Sequence, residues 1–96
     1  MHLEVITPET KVFVGDAEAV QFPGLDGSFA VLSNHAPVIS ALSEGVVKVN
    51  LDKAFDMTDN TSDLIKADKA DKSVIHISIK GGVMEMLNNK IIVLAE

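Results

Sequence analysis

The residues best suited to chemistry are three histidines, His2, His35 and His76. A histidine that acts as a base or binds a metal needs a carboxylate, a nucleophile or further ligands at a suitable spacing. Ser33, His35 and Asp26 have the side-chain types of a nucleophile triad, but a triad is defined by its geometry and no nucleophile elbow surrounds the serine. His76 alternates with isoleucines and is expected to be structural or exposed. The pattern favours histidines that hydrogen-bond locally.

The glycines and the charged residues suggest two further kinds of site, a phosphate-binding loop and a cation site. The sequence has no Gly-x-x-x-x-Gly-Lys-Ser/Thr motif, so turns are the better interpretation of its glycines. Residues 52–72 are rich in Asp and Lys but lack the Asp-x-Asp-x-Asp-Gly spacing of a calcium loop. We therefore predict no catalytic residue, metal site, nucleotide site or other cofactor.

The elements that position these residues are organised around residues 22–37. Pro and two Gly in residues 23–27 predict a tight turn. The apolar residues 29–32 predict a short buried strand. Asn34 and Pro37 then favour a second fixed loop. Rigid loops on either side of a buried strand are typical of a chain that holds a surface in a fixed, accessible position.

Alternating apolar and polar residues predict strands along most of the chain. Residues 3–7 pair back with residues 11–14, and Gly15-Asp16 is expected to separate the latter from a strand at 17–22. Asn88-Asn89 predicts a hairpin turn between the last two strands. Met84 and Met86 are expected on an apolar, partner-facing surface. Several short strands with turn signals predict an all-β sandwich or barrel.

The polar segment 52–72 has two interpretations. It forms either an extended hairpin, with residues 59–61 at its tip and Phe55 and Met57 on one face, or a short helix capped by Thr61-Ser62. The hairpin is favoured. With its 96 residues the chain is interpreted as one domain, 1–96, that carries this segment as a longer hairpin or insertion.

Composition excludes several classes of function. The net charge is −6, which argues against nucleic acid and against anionic lipid as partners. No apolar run is long enough for a membrane helix, so no direct membrane insertion is expected. Cysteine is absent, which excludes disulfides and Cys-based metal sites. A protein with basic patches is the favourable partner.

Residues 23–45 read PGLDGSFAVLSNHAPVISALSEG. Together with residues 2–7 and 12–15 before them and residues 79–86 and 91–96 after them, they resemble the epsilon subunit family of F-type ATP synthases, called delta in mitochondria. The resemblance implies an antiparallel β-sandwich of about ten short strands in two sheets. Many members continue into a C-terminal helical hairpin that can inhibit hydrolysis. No helical segment follows Leu94 here, so this inhibitory arm is expected to be absent.

The resemblance also implies a function and partners. The expected protein is a non-catalytic rotor subunit of the central stalk, which links the gamma subunit to the c-subunit ring and couples proton flow to ATP synthesis. It is expected as a peripheral membrane protein on the cytoplasmic face of the bacterial plasma membrane, as part of F1. The implied c-ring contacts are Leu25, Asp26, Gly27 and Ser28. The implied gamma contacts are Thr7, His35, Ile39 and Ser40.

The alternative is a free-standing β-sandwich that binds a small ligand or a sugar. A sugar platform needs exposed aromatic side chains, but the chain has no Trp or Tyr and four Phe. A deep pocket with converging polar groups would favour this alternative, whereas an exposed partner-facing surface would favour the stalk subunit.

Overall fold

The computed structural model describes all 96 residues as nine β-strands and their connections, without a helix. In chain order the strands are β1 (His2–Ile6), β2 (Lys11–Gly24), β3 (Gly27–Leu32), β4 (Val38–Leu42), β5 (Gly45–Leu51), β6 (Ile65–Ala67), β7 (Val74–Ile79), β8 (Gly82–Leu87) and β9 (Lys90–Ala95). The predicted all-β fold is confirmed. No helix of the structure is long and apolar enough to cross a membrane.

Strand β2 joins the two layers of the fold because it is long enough, at 14 residues, to pair with different strands along its length. Its first half pairs with β1, and β1, β9, β8 and β4 follow in that order; we call this set the first layer. Its second half pairs with β3 on one edge and β5 on the other, and β7 and β6 complete the second layer. All pairings are antiparallel except the parallel pair β1–β9.

The core consists of the inward side chains of these strands, mostly Val and Ile, whose branched Cβ suits a pleated surface. It contains 21 buried residues. Inward residues alternate with outward ones along β1, β5, β7 and the second half of β2. Among the fully buried ones are Leu3, Val5, Val20, Val47, Val49, Ile75 and Ile77.

Two predicted details are wrong. Gly15 and Asp16 do not interrupt the chain; they lie inside β2 and pair with Leu3 and His2. A Cβ at Gly15 would lie 2.8 Å from the ring of Phe13, so a larger residue there would have to displace this ring. Strand β3 is not buried as a whole, because it lies in one layer of the fold and turns only one face, with Val31, toward the core.

The segment 52–72 forms neither a helix nor a regular hairpin, so the capped-helix interpretation is wrong. A turn forms at residues 59–60, at the predicted tip, but residues 54–58 form no strand. The second arm contributes only the three-residue β6, which pairs with β7. Phe55 anchors the first arm, since its ring lies 6.1 Å from that of Phe13 and its N–H donates to the carbonyl of Lys72.

Candidate partner-binding surface

The outward surface of the first layer is the largest continuous set of exposed apolar strand residues; we call it the outer face. The register places its residues in three rows across β2, β1, β9, β8 and β4. The middle row is Val14, Glu4, Ile92, Glu85 and Ile39, flanked by Asp16, His2, Lys90 and Leu87 on one side and by Ile6, Leu94, Val83 and Ala41 on the other. Five of its apolar side chains are 44–69% exposed: Val14, Ile39, Val83, Leu87 and Leu94.

Only some of the charged side chains on the outer face form ion pairs. Glu4 accepts a hydrogen bond from His2 Nε2 at 3.0 Å and lies 3.5 Å from Lys90 Nζ. The hydrogen bond from His2, assisted by the charge of Lys90, lowers the pKa of Glu4. Glu85 lies two strands away in the same row and makes neither a hydrogen bond nor an ion pair. In the middle row, Glu85 is therefore an unpaired carboxylate among apolar side chains.

The predicted partner-facing role of Met84 and Met86 is wrong. Both are buried in the core, 0% and 1% exposed, because β8 turns its even-numbered residues inward. The residues that face outward are Val83, Glu85 and Leu87. The exposed side of this strand is thus the opposite one.

The four residues implied as gamma contacts do not form one cluster. Ile39 lies on the outer face and is 69% exposed. Thr7 follows β1 at one end of this face, where its Oγ1 bonds Thr10. His35 lies at the other end, because the N–H of the preceding Asn34 donates to Asn89 Oδ1 at 2.7 Å. Strand β9, six residues long, spans the interval of about 20 Å at ~3.3 Å per residue.

Ser40 lies on the other side of β4. It pairs with the buried Met84, so its side chain points away from the outer face. There it lines an open depression together with residues 24–29. Ser40 therefore lies close to the β2–β3 turn, whose residues are the implied c-ring contacts, and not on the outer face with Ile39.

The implied c-ring contacts form the β2–β3 turn. Leu25 and Asp26 connect Gly24 to Gly27, which pair with each other, and Gly27 has a φ of 122° that suits glycine. Residues 25–28 are all exposed, and the N–H of Leu25 donates to the carbonyl of Ala41 at 3.3 Å. The turn is thus fixed to β4 while its side chains remain accessible.

The imagined triad is absent, since the six-residue β3 separates Asp26 from His35. His35 Nδ1 instead bonds the carbonyl oxygen of Ala36 at 2.7 Å. No group of three or more His, Cys, Asp or Glu side chains is placed to hold a metal ion.

His76 lies on the outward side of the second layer and contacts Asp68, with Nε2 2.8 Å from Oδ1. Asp68 Oδ2 also accepts the N–H groups of Ala70 and Asp71. These bonds, the one from His76 first, lower the pKa of Asp68 to about 2. The histidine is structural, as the sequence indicated, and fixes the loop that precedes β7.

Sequence reasoning identified Ile39 but missed the other exposed apolar residues of the outer face. In β8 and β9 apolar side chains occupy both alternating sets, so periodicity does not indicate which set is inward. The signal available in the sequence was the excess of apolar residues in β8 and β9, since a strand in one layer of a sandwich buries only one of its two alternating sets of side chains.

Comparisons with known proteins agree with this geometry. Residues 1–61 match the family model described as ATP synthase, Delta/Epsilon chain, beta-sandwich domain. The ATP synthase epsilon chain of Chlorobium limicola is 34% identical over 94 residues, which are 98% of this chain and 86% of that protein. The epsilon chain of Salinibacter ruber is also 34% identical over 94 residues, but this chain spans only 56% of its length.

Among solved structures, a chain of the Tetrahymena thermophila mitochondrial ATP synthase central stalk/c-ring matches with a TM-score of 0.68. The match covers 99% of this chain and 62% of that chain at 14% identity, a level that supports the shared fold. The family model covers more than half of the residues, and relatives align along nearly the whole chain. The chain therefore belongs to the ATP synthase delta/epsilon family and contains its β-sandwich domain.

Proposed function

We propose that this chain is a non-catalytic rotor subunit of an F-type ATP synthase, which links the gamma subunit to the c-subunit ring in the central stalk. The observation that carries the proposal is the outer face, an exposed apolar sheet surface on an otherwise acidic chain. Exposed contiguous apolar surface favours a protein partner. In this role the subunit transmits rotation driven by proton flow to the catalytic head.

Gamma is proposed to cover the outer face, with Ile39 in its middle row on β4 and Thr7 and His35 at its two ends. Apolar side chains in the middle of a contact and polar ones at its edge are typical of protein interfaces. Ser40 is retained as a gamma contact only if gamma also reaches the depression beside the β2–β3 turn, because its side chain points there.

The c ring is proposed to contact the turn formed by Leu25, Asp26, Gly27 and Ser28. This turn lies beside the Thr7 end of the first layer, since Leu25 bonds Ala41 and Ala41 belongs to the row of Ile6. Asp26 offers a negative charge to a basic ring loop. A close-packed sandwich between the two contacts provides the stiffness that torque requires.

The remaining expectations follow from this role. The 96 residues are proposed to act as one epsilon-type domain with residues 52–72 as its extension. The protein is proposed to sit on the cytoplasmic face of the bacterial plasma membrane as part of F1, held there by gamma and the c ring. Neither a cofactor nor a nucleotide is required.

The experiment that tests the proposal is a pull-down with purified gamma subunit from the same source, followed by native mass spectrometry. We expect a one-to-one complex. Hydrogen exchange of the complex is expected to show protection in β4, β8 and β9 but not in β6 and β7. Absence of a complex with demonstrably folded gamma would contradict the proposal.

A further inference from the structure

Glu85 has an unusual position on the outer face. Its neighbours across the sheet are Ile39 and Ile92, and its neighbours along β8 are Val83 and Leu87. All four are apolar, and the carboxylate makes no hydrogen bond or ion pair. It is a single negative charge surrounded by apolar side chains.

The cationic side chains nearest to Glu85 in the strand register do not pair with it. Lys90 and His2 belong to the adjacent row, and both contact Glu4 instead, at 3.5 and 3.0 Å. Glu4 lies two strand spacings from Glu85, about 10 Å. The chain thus neutralises one carboxylate of the middle row and leaves the other free.

A partner that covers the surrounding apolar residues must also cover Glu85. Removing a carboxylate from water is costly unless a cation and hydrogen-bond donors replace the water. We infer that Glu85 is a specificity-determining residue of this interface and that it pairs with an arginine or lysine of the partner. Resting on the proposed function, this inference places that basic residue on gamma, within an otherwise apolar contact.

The charge also selects against wrong partners. A purely apolar surface would leave Glu85 buried without a cation, and a second copy of the outer face would bring two such carboxylates together. Both arrangements are unfavourable. The unpaired carboxylate of the middle row therefore restricts this apolar face to a partner with a matching basic side chain.

The test measures the affinity of gamma for wild-type protein, Glu85→Gln, Glu85→Leu and the control Glu18→Gln, which removes an exposed acid at the bulge in β2. We expect both Glu85 variants to bind at least about tenfold more weakly, because the partner's cation is left buried and unpaired. The control should bind like wild type. Affinity should fall with salt more steeply for wild type than for Glu85→Gln.

Glu85→Leu is the decisive variant, since it makes the face more apolar without disturbing an exposed strand position. If it binds gamma as tightly as wild type or more tightly, the inference is overturned while the proposed function stands. If wild-type protein does not bind gamma, both fail. Dimerisation of the wild-type chain through this face, detected by sedimentation and abolished by Leu94→Asp, would also overturn the inference.

Discussion

Asn34 and Asn89 lie 55 positions apart in the chain, and the backbone N–H of the first donates to the side-chain oxygen of the second at 2.7 Å. Both residues have positive φ, 66° and 61°. The bond fixes the loop that carries His35 to the β8–β9 turn, at one end of the outer face. Two turns that sequence reasoning treats separately therefore form one structural unit.

Replacing Asn89 with Gly should destabilise the protein by about 0.5–1.5 kcal/mol, because glycine keeps the positive φ but removes the acceptor. Asn88→Gly is the matched control, since Asn88 also has positive φ but makes no side-chain bond. Urea unfolding measures both free energies. Equal stability of the two variants, with unchanged amide exchange at Asn34, would show that the bond contributes nothing.

The carboxyl of Asp68 should titrate near pH 2 in the folded protein. Because its folded pKa is below the ordinary value of 3.8, its contribution to stability is complete above about pH 4 and is lost as the pH falls toward 2. His76→Gln weakens the main interaction, so the pKa of Asp68 should rise toward 3.8. Carbon-13 NMR of the Asp68 side-chain carboxyl measures its pKa in the wild-type protein and in His76→Gln. An unchanged titration midpoint in His76→Gln would contradict the assigned cause.

Met84→Ala and Leu94→Ala should have opposite effects on folding and on binding. Met84 is fully buried, so its truncation should cost about 2–5 kcal/mol of unfolding free energy. Leu94 is 57% exposed, so its truncation should change stability by less than about 1 kcal/mol but weaken gamma binding. Urea unfolding measures the stability of both variants, and titration with gamma measures their affinity. Full gamma affinity of Leu94→Ala would exclude this residue from the contact.

Phe55→Ala should release the first arm of the segment 52–72. Loss of the contact with Phe13 should cost about 1–2 kcal/mol, and amide exchange in residues 54–62 should increase. Met57→Ala is the control, because Met57 is 47% exposed in the same arm, and it should stay within about 0.5 kcal/mol of wild type. Similar values for both variants would show that Phe55 does not anchor the arm.

Asp26→Lys should weaken docking on the c ring without unfolding the domain, since the side chain is exposed in a turn. Bringing a positive charge to a basic ring loop should lower affinity roughly tenfold or more. Asp63→Lys makes the same charge change at an exposed position of the segment 52–72 and should have no effect. Retained coupling of proton flow to ATP synthesis in reconstituted vesicles would contradict the assignment.

Local sequence predicted the parts of the fold in which one alternating set is polar. Strand β5 and the Asn88-Asn89 turn are confirmed, because polar alternation and positive-φ residues are local signals. The continuity of β2 through Gly15 was not predictable, since it depends on pairing with Leu3 and on the Phe13 ring. The path of residues 52–64 depends likewise on long-range contacts of Phe55, with the ring of Phe13 and with the carbonyl of Lys72.

The site was predicted less completely than the fold. Ile39 was identified through the family resemblance, but the inward position of Met84 and the outward position of Leu94 depend on the register of β8 against β4 and β9. A shift of one residue would exchange the two faces. Only long-range pairing therefore reveals the outer face.

The parallel pairing of β1 with β9 has a mechanical consequence. His2 lies beside Lys90 and Ile6 beside Leu94, so the outer ends of the two strands, His2 and Ala95, lie at opposite ends of the molecule. A tensile force applied between these two residues loads the interstrand hydrogen bonds in shear. They must then break together rather than one after another, as they would when a hairpin is peeled open. The strand pair can thus resist mechanical load, as the proposed rotor role would require.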